Sequence, residues 1–167
     1  NIKTEQFTHI RHDKNNPASL VNDSLHILFF DRQHYLWIGT HIGLSRMDTK
    51  TGICTNYIND PNDSLSIGKG HINSIAQDKN DNIWIGTDVD VYALDTKTGK
   101  FQRYIMGSGQ ITNLCVDETG KIWTAGVGGL YFFDKEKNSF KKFTTQAFPD
   151  GFENVWGIID DDKGNLW

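Results

Sequence analysis

The chain has 167 residues and a formal net charge of −4, and 37% of its residues are hydrophobic and 12% aromatic. It is too aromatic and too weakly charged for an intrinsically disordered protein, and no apolar run is long enough to span a membrane. The acidic balance, without a cluster of Lys or Arg, also disfavours nucleic-acid binding. Two cysteines without a CxxC spacing exclude a disulfide scaffold.

One motif centred on tryptophan recurs along the chain. Its first copy reads Leu36-Trp37-Ile38-Gly39-Thr40, and the tryptophan returns at spacings of 47, 39 and 44 residues. An aspartate precedes each tryptophan by six residues, and a second aspartate follows each of the first three after eleven. The tryptophans are Trp37, Trp84, Trp123 and Trp167, and the preceding aspartates are Asp31, Asp78, Asp117 and Asp161.

Within one copy of the repeat, four short segments rich in β-forming residues alternate with polar turns. In the second copy these segments are residues 72–78, 83–87, 91–94 and 101–104. Four short strands in a period of about 40 residues are typical of a β-propeller blade. We therefore predict an all-β protein of four-stranded antiparallel blades, in which the tryptophans pack between neighbouring blades. The aspartates are expected to accept hydrogen bonds from the backbone of their own turns.

In chain order, the repeat divides the sequence into parts of one incomplete propeller. An outer strand of a preceding blade comes first, with Phe7 and Ile10 in the apolar columns, followed by three complete blades and the first two strands of a further blade. The predicted parts are residues 1–20, 21–70, 71–109, 110–154 and 155–167.

An incomplete array of blades exposes an unburied face at each end. We therefore expect the chain to be marginally stable or to associate when it is alone. Closure of residues 155–167 onto residues 1–12, which would make a small ring, is the alternative.

Two stretches, residues 78–87 and residues 36–44, resemble the two-component regulator propeller repeat. That repeat reads Asp-x-x-Gly-x-Leu/Ile-Trp-Ile-Gly-Thr, followed by Gly-Leu and an Asp. The resemblance implies a seven-bladed propeller in the periplasmic sensor region of a bacterial two-component protein, often a hybrid histidine kinase in the inner membrane. It also implies a response to oligosaccharides and contacts with the remaining blades and domains of a dimeric parent sensor. The sequence itself contains no catalytic motif, and we predict no cofactor and no catalytic activity for this segment.

Ligand binding is predicted at the end of the blades that carries the second-to-third-strand loops and the loops between blades. These loops contain the aromatic and planar polar groups that a sugar needs, although solvated loop residues without a function are the alternative. No metal site is predicted, because the calcium-loop-like start at residues 78–82 lacks the required Gly and Glu. The candidate ligand-binding residues are His41, His71, Asp88, Asp90, Phe152, Glu153, Asn154 and Trp156.

Two other functions remain open from the sequence. Residues 93–100 resemble the repeat of quinone-cofactor (PQQ) dehydrogenases, although Tyr104 stands where that repeat has a tryptophan. A scaffold or interaction propeller is the third possibility, but the Gly-His and Trp-Asp signature of WD40 repeats is absent.

Overall fold

The structure, a computed structural model, describes residues 5, 7–107, 109–161 and 163–167. The strands form three antiparallel sheets of four, in which each strand pairs with the next along the chain. Blade 1 contains β1 (Leu25–Phe30), β2 (Tyr35–Thr40), β3 (Gly43–Asp48) and β4 (Cys54–Ile58). Blade 2 contains β5 (Ile72–Gln77), β6 (Ile83–Thr87), β7 (Asp90–Asp95) and β8 (Lys100–Ile105). Blade 3 contains β9 (Ile111–Val116), β10 (Ile122–Gly126), β11 (Gly129–Asp134) and β12 (Ser139–Lys142).

The predicted all-β propeller architecture is therefore confirmed. Across the part of the chain that the structure describes, no helix is long and apolar enough to cross a membrane. The first strands of successive blades are neighbours, since β1 contacts β5 and β5 contacts β9. Each blade thus has an inner first strand and an outer fourth strand.

A glycine in the second strand allows neighbouring blades to approach closely. A Cβ atom on Gly39 would lie 2.5 Å from Cγ2 of Ile27 and 2.6 Å from Cγ2 of Ile72, the first residue of the next blade. These distances are shorter than a van der Waals contact, so a larger residue would push the blades apart. The glycine of the repeated Ile-Gly-Thr sequence is thus explained by packing.

Trp37 and Trp84 pack between blades, as predicted, whereas the ring contacts of Trp123 are with Phe132 and Phe143 of its own blade and Trp167 is 75% exposed. Trp37 is fully buried, stacks on Tyr57 of its own blade and shares a core cluster with Leu94 of blade 2. Trp84 stacks on Tyr104 of its own blade and contacts Phe133 of blade 3, with ring centroids 5.0 Å apart. Large rings therefore bury much of the apolar surface at both junctions.

Each repeated aspartate binds its tryptophan as well as its own turn. Asp31 Oδ1 accepts a hydrogen bond from the Tyr35 backbone N–H at 2.8 Å, as predicted, and Oδ2 accepts one from Trp37 Nε1 at 2.7 Å. The indole bond was not predicted, and it explains the constant spacing of six residues. It recurs in the Asp78–Trp84, Asp117–Trp123 and Asp161–Trp167 pairs at 3.0, 2.8 and 3.2 Å.

The outer strand predicted over residues 1–20 is not observed in its described part, and residues 1–4 and 6 lie outside the described residues. Phe7 and Ile10 are exposed. Residues 13–20 instead form a compact loop, strap 1, in which Ser19 Oγ accepts from the Asp13 N–H. Its Asp, Asn and Pro residues favour turns over strands, because their side chains bond to the local backbone or fix it.

The same loop recurs before blade 2 at residues 60–67, here called strap 2. Ser66 Oγ accepts from the Asp60 N–H at 3.0 Å, as Ser19 does in strap 1. Ile67, at the end of strap 2, is buried in the cluster between blades 1 and 2. The Leu65 carbonyl accepts a hydrogen bond from Phe101 N at 2.9 Å, so strap 2 is attached to the outer strand of blade 2.

The segment after blade 3 begins a further hairpin. The backbones of Ile159 and Trp167 exchange two hydrogen bonds of 2.9 and 3.0 Å around the Asp161 turn. This pairing is shorter than the two full strands predicted for residues 155–167, of which residue 162 lies outside the described residues. Val155 N donates to the Gly126 carbonyl at 3.1 Å, so the segment is attached to blade 3.

Candidate functional site

Two threonines shape the loops between second and third strands. Thr87 Oγ1 donates to the Asp90 carbonyl at 3.0 Å and accepts from the backbone N–H groups of Val89 and Asp90. Thr40 makes the same set of bonds in blade 1. These bonds close a two-residue loop in both blade 1 and blade 2. The first residue of the loop is His41 in blade 1 and Asp88 in blade 2.

Asp88 is held by groups from two blades. Its Oδ1 accepts from Asn73 Nδ2 at 2.9 Å and from Gln110 Nε2 at 3.4 Å, while Oδ2 accepts from the His71 backbone N–H at 3.1 Å. Partial burial opposes ionisation, but the hydrogen bonds from Asn73 and His71 outweigh it and hold the Asp88 pKa below its ordinary value. Asp88 is therefore an ionised acceptor at neutral pH.

Three histidines from two blades meet beside Asp88. The His41 and His71 ring centroids are 3.9 Å apart, and His26 lies 5.0 Å from His71 and 6.1 Å from His41. Nδ1 of His71 lies 3.4 Å from Asp88 Oδ2. His26, His41 and His71 are here called the histidine cluster, which together with Asp88, Asn73 and Gln110 forms the polar junction.

The structure thus brings together three of the residues predicted from sequence, namely His41, His71 and Asp88. His26, Asn73 and Gln110 were missed because two of them lie in strands and appear as ordinary strand residues in the sequence. Their positions relative to the repeated tryptophans could have identified them. The polar positions are 11 residues before a tryptophan, four after it and 13 before the next one. These positions hold His26, His41 and His71 at the first junction and Asn73, Asp88 and Gln110 at the second.

The side chain of Asp90 does not lie on the loop face, where it was predicted to bind a ligand. Its side chain is 2% exposed and forms an ion pair with Arg103, with 2.6 Å between Oδ2 and an Arg103 guanidinium nitrogen. Oδ1 accepts from the Met106 backbone N–H at 3.1 Å. This hydrogen-bonded pair raises the Arg103 pKa and stabilises blade 2 internally. Asp90 is therefore not available to a ligand on the loop face.

The remaining predicted residues form a separate group on blade 3. Phe152 lies 5.0 Å from Phe148, the Glu153 carbonyl accepts from Gly128 N at 2.8 Å, and Asn154 pairs with Val127. Trp156 is 75% exposed. In blade 3, Gly126 replaces the loop-closing threonine, and the loop is held by this neighbouring segment instead.

A groove of about 680 Å³ runs between blades 2 and 3. The connection from β8 to β9, residues 106–110, is shorter than strap 2 and its flanking residues. The groove is lined by aromatic and polar side chains from both blades. They include Trp84, Tyr104, Phe133, Lys79 and Asn138.

Residues 66–89 match the family described as two component regulator propeller. The chain contains a two-component regulator propeller repeat. The matched segment extends from the end of strap 2 through β5 and β6, and it includes Asp78, Trp84 and Asp88. The resemblance found in the sequence is thus confirmed. No curated protein matches the sequence.

Solved structures resemble this repeat array in fold. The extracellular domain of BT4673, assigned as a hybrid two component system of B. thetaiotaomicron, superposes with a TM-score of 0.72 at 19% identity. The match covers 92% of this chain and 21% of that one, so the chain spans about a fifth of its length. A catalytically inactive virginiamycin B lyase from Staphylococcus aureus gives a TM-score of 0.58 at 15% identity, covering 77% of this chain and 44% of that one. At these identities the likeness shows the fold alone.

Proposed function

We propose that this chain is part of a sensor propeller of a bacterial two-component protein, outside the cytoplasm, and that it recognises an oligosaccharide without catalysing a reaction. The two-component regulator propeller repeat at residues 66–89 supports the sensor role. The likeness to extracellular domains assigned to hybrid two component systems of B. thetaiotaomicron is consistent with the location.

The single observation that carries the ligand proposal is the polar junction. Imidazole, amide and carboxylate groups from three blades lie within contact distance on one loop face. Planar polar groups of this kind bind vicinal sugar hydroxyls, since amides and carboxylates offer two atoms in one plane. Asp88, Asn73 and Gln110 are held by hydrogen bonds to one another, so these groups lose little conformational entropy on binding.

The quinone-enzyme alternative is less well supported by the structure. The residues that resemble its repeat form the hairpin between β7 and β8, in which Asp95 Oδ1 accepts from the backbone N–H groups of Lys97 and Thr98. Tyr104, in the position of the expected tryptophan, stacks on Trp84. These residues therefore have structural roles in blade 2.

Calorimetric titration of a panel of neutral and acidic oligosaccharides into the metal-free chain tests the proposal. We expect at least one class to bind, and Gln110→Ala and Asp88→Asn to weaken its affinity about tenfold each, because every lost hydrogen bond to a sugar costs about 1–1.5 kcal/mol.

Lys97→Gln is the matched control for these substitutions. Lys97 lies in an exposed hairpin at the opposite end of blade 2, so its substitution should leave affinity unchanged. Equal losses in Lys97→Gln and Gln110→Ala, or no binding by any sugar of the panel, would contradict the proposed site.

A further inference from the structure

The histidine cluster has the composition of a transition-metal site. One ring nitrogen from each of His26, His41 and His71 can be chosen so that all three lie within 4.8 Å of one another. The chain has six histidines, and three of them occupy the three polar positions of a single blade junction. At the equivalent positions of the next junction there is no histidine, so the cluster is not a general feature of the repeat.

A carboxylate stands behind one of the three imidazoles. Asp88 Oδ2 lies 3.4 Å from His71 Nδ1, and Asn73 and the His71 backbone fix the carboxylate. Metal-binding histidines commonly donate their second ring N–H to a carboxylate, which fixes the tautomer and makes the other nitrogen a better ligand. Because Nδ1 of His71 faces Asp88 at this distance, a proton held on Nδ1 would leave Nε2 for a metal.

The geometry requires only a small closure. Zinc–nitrogen bonds of about 2.0–2.1 Å in a tetrahedron place the ligand nitrogens about 3.3 Å apart. The ring nitrogens of the cluster lie within 4.8 Å of one another, and the exposed side chains of His26 and His41 can shift between rotamers to reach the tetrahedral spacing.

We propose that His26, His41 and His71 bind a divalent transition-metal ion, with zinc as the reference case, and that Asp88 orients His71. Three imidazoles suit Zn²⁺, Cu²⁺ and Ni²⁺, whereas Ca²⁺ and Mg²⁺ prefer oxygen ligands. Three protein ligands leave the fourth position to water or to a ligand on the loop face. The site goes beyond the proposed oligosaccharide binding and does not depend on it.

Calorimetric titration of ZnCl₂ into the chelator-stripped chain, without any sugar, tests the site. We expect one ion per chain, no competition from excess Mg²⁺ or Ca²⁺, and at least a tenfold loss of affinity in each of His26→Asn, His41→Asn and His71→Asn. Asp88→Asn should lose 10–100-fold, as is usual for the residue behind a metal-binding histidine.

His9→Asn is the matched control, since His9 is exposed and lies outside the cluster. It should bind zinc as the unsubstituted chain does. Zinc binding that survives in the triple histidine variant, a loss as large in His9→Asn, or one ion shared between two chains would overturn the proposal.

A second measurement uses the unsubstituted chain and so does not depend on the folding of variants. Diethyl pyrocarbonate modifies accessible imidazoles, and mass spectrometry locates the modified residues. Zinc should protect His26, His41 and His71 and leave His9 and His34 reactive. Equal modification of His26, His41 and His71 in the presence and absence of zinc would contradict the site.

Discussion

The two ends of each blade differ in how strictly the repeat conserves their side chains from copy to copy. The turn end carries the Asp–Trp turns, and the loop end carries the loops between second and third strands. At the turn end, all four copies of the repeat place the same aspartate against the same tryptophan, with Asp–indole distances of 2.7–3.2 Å. At the loop end, the position four residues after the tryptophan holds His41, Asp88 and Val127 in turn. The turn end therefore builds the blade in every copy, while the loop end can change from copy to copy and can carry specificity.

The largest effect is expected at the turn end, from Trp84→Ala. This substitution removes the ring that joins blades 2 and 3 and leaves a cavity beside the groove. We expect the free energy of unfolding to fall by about 3–5 kcal/mol in urea denaturation. Trp156→Ala should change it by less than about 0.5 kcal/mol, because Trp156 is 75% exposed. Similar losses in both variants would contradict the assigned packing.

A somewhat smaller loss is expected from Asp78→Ala. Its carboxylate accepts from the backbone N–H groups of Asn80 and Asn82, from the Asn82 side chain and from Trp84 Nε1. Removing a charged acceptor from such partners costs about 3 kcal/mol of unfolding free energy. Asp88→Ala, at the loop end, should cost less than about 1 kcal/mol. The comparison between the two ends fails if Asp88→Ala is as destabilising as Asp78→Ala.

Strap 2 should contribute an intermediate amount. Ser66→Ala removes the hydroxyl that accepts from Asp60 N and donates within the loop, and we expect a loss of about 1–2 kcal/mol. The exposed Ser64→Ala in the same strap is the control and should be neutral in thermal unfolding. Equal stability of both variants would mean that strap 2 does not stabilise the junction.

The smallest predicted effect is a dependence of stability on pH. Burial opposes ionisation of Asp117, but hydrogen bonds from Thr119, Trp123 and Lys121 outweigh it and lower its pKa. The folded pKa lies below the unfolded value of about 4, so the stabilisation is present above pH 4 and is lost as the pH falls further. Between pH 5 and pH 3, Asp117→Asn should lose less unfolding free energy than the unsubstituted chain. An equal loss would mean that Asp117 is not the responsible group.

Much of the blade architecture could be predicted because the repeat aligns residues that have the same structural role in every blade. The positions of Trp37 and Trp84 in the repeat predicted their burial between blades. The indole bond of each aspartate was missed, since a backbone turn already accounted for the carboxylate. The straps were missed because their buried residues Leu20 and Ile67 lie in loops without strand periodicity.

The site was only half predictable for a physical reason. His41 and Asp88 lie in loops that the repeat places at one end, so their closeness to His71 followed from the fold. His26 lies in β1, and its approach to His71 depends on how the first strands of two blades meet. Asp90 is two residues from Asp88, but the closed loop turns its side chain inward to Arg103.

Hydrogen–deuterium exchange of the chain, with and without an oligosaccharide that binds it, tests the division between the two ends most directly. Slower exchange is predicted at the loop end, in residues 41–42, 70–73 and 88–89, with the Asp–Trp turns unchanged. Protection centred on the turns at residues 31–35, 78–82 and 117–121, or on the groove between blades 2 and 3, would contradict the account.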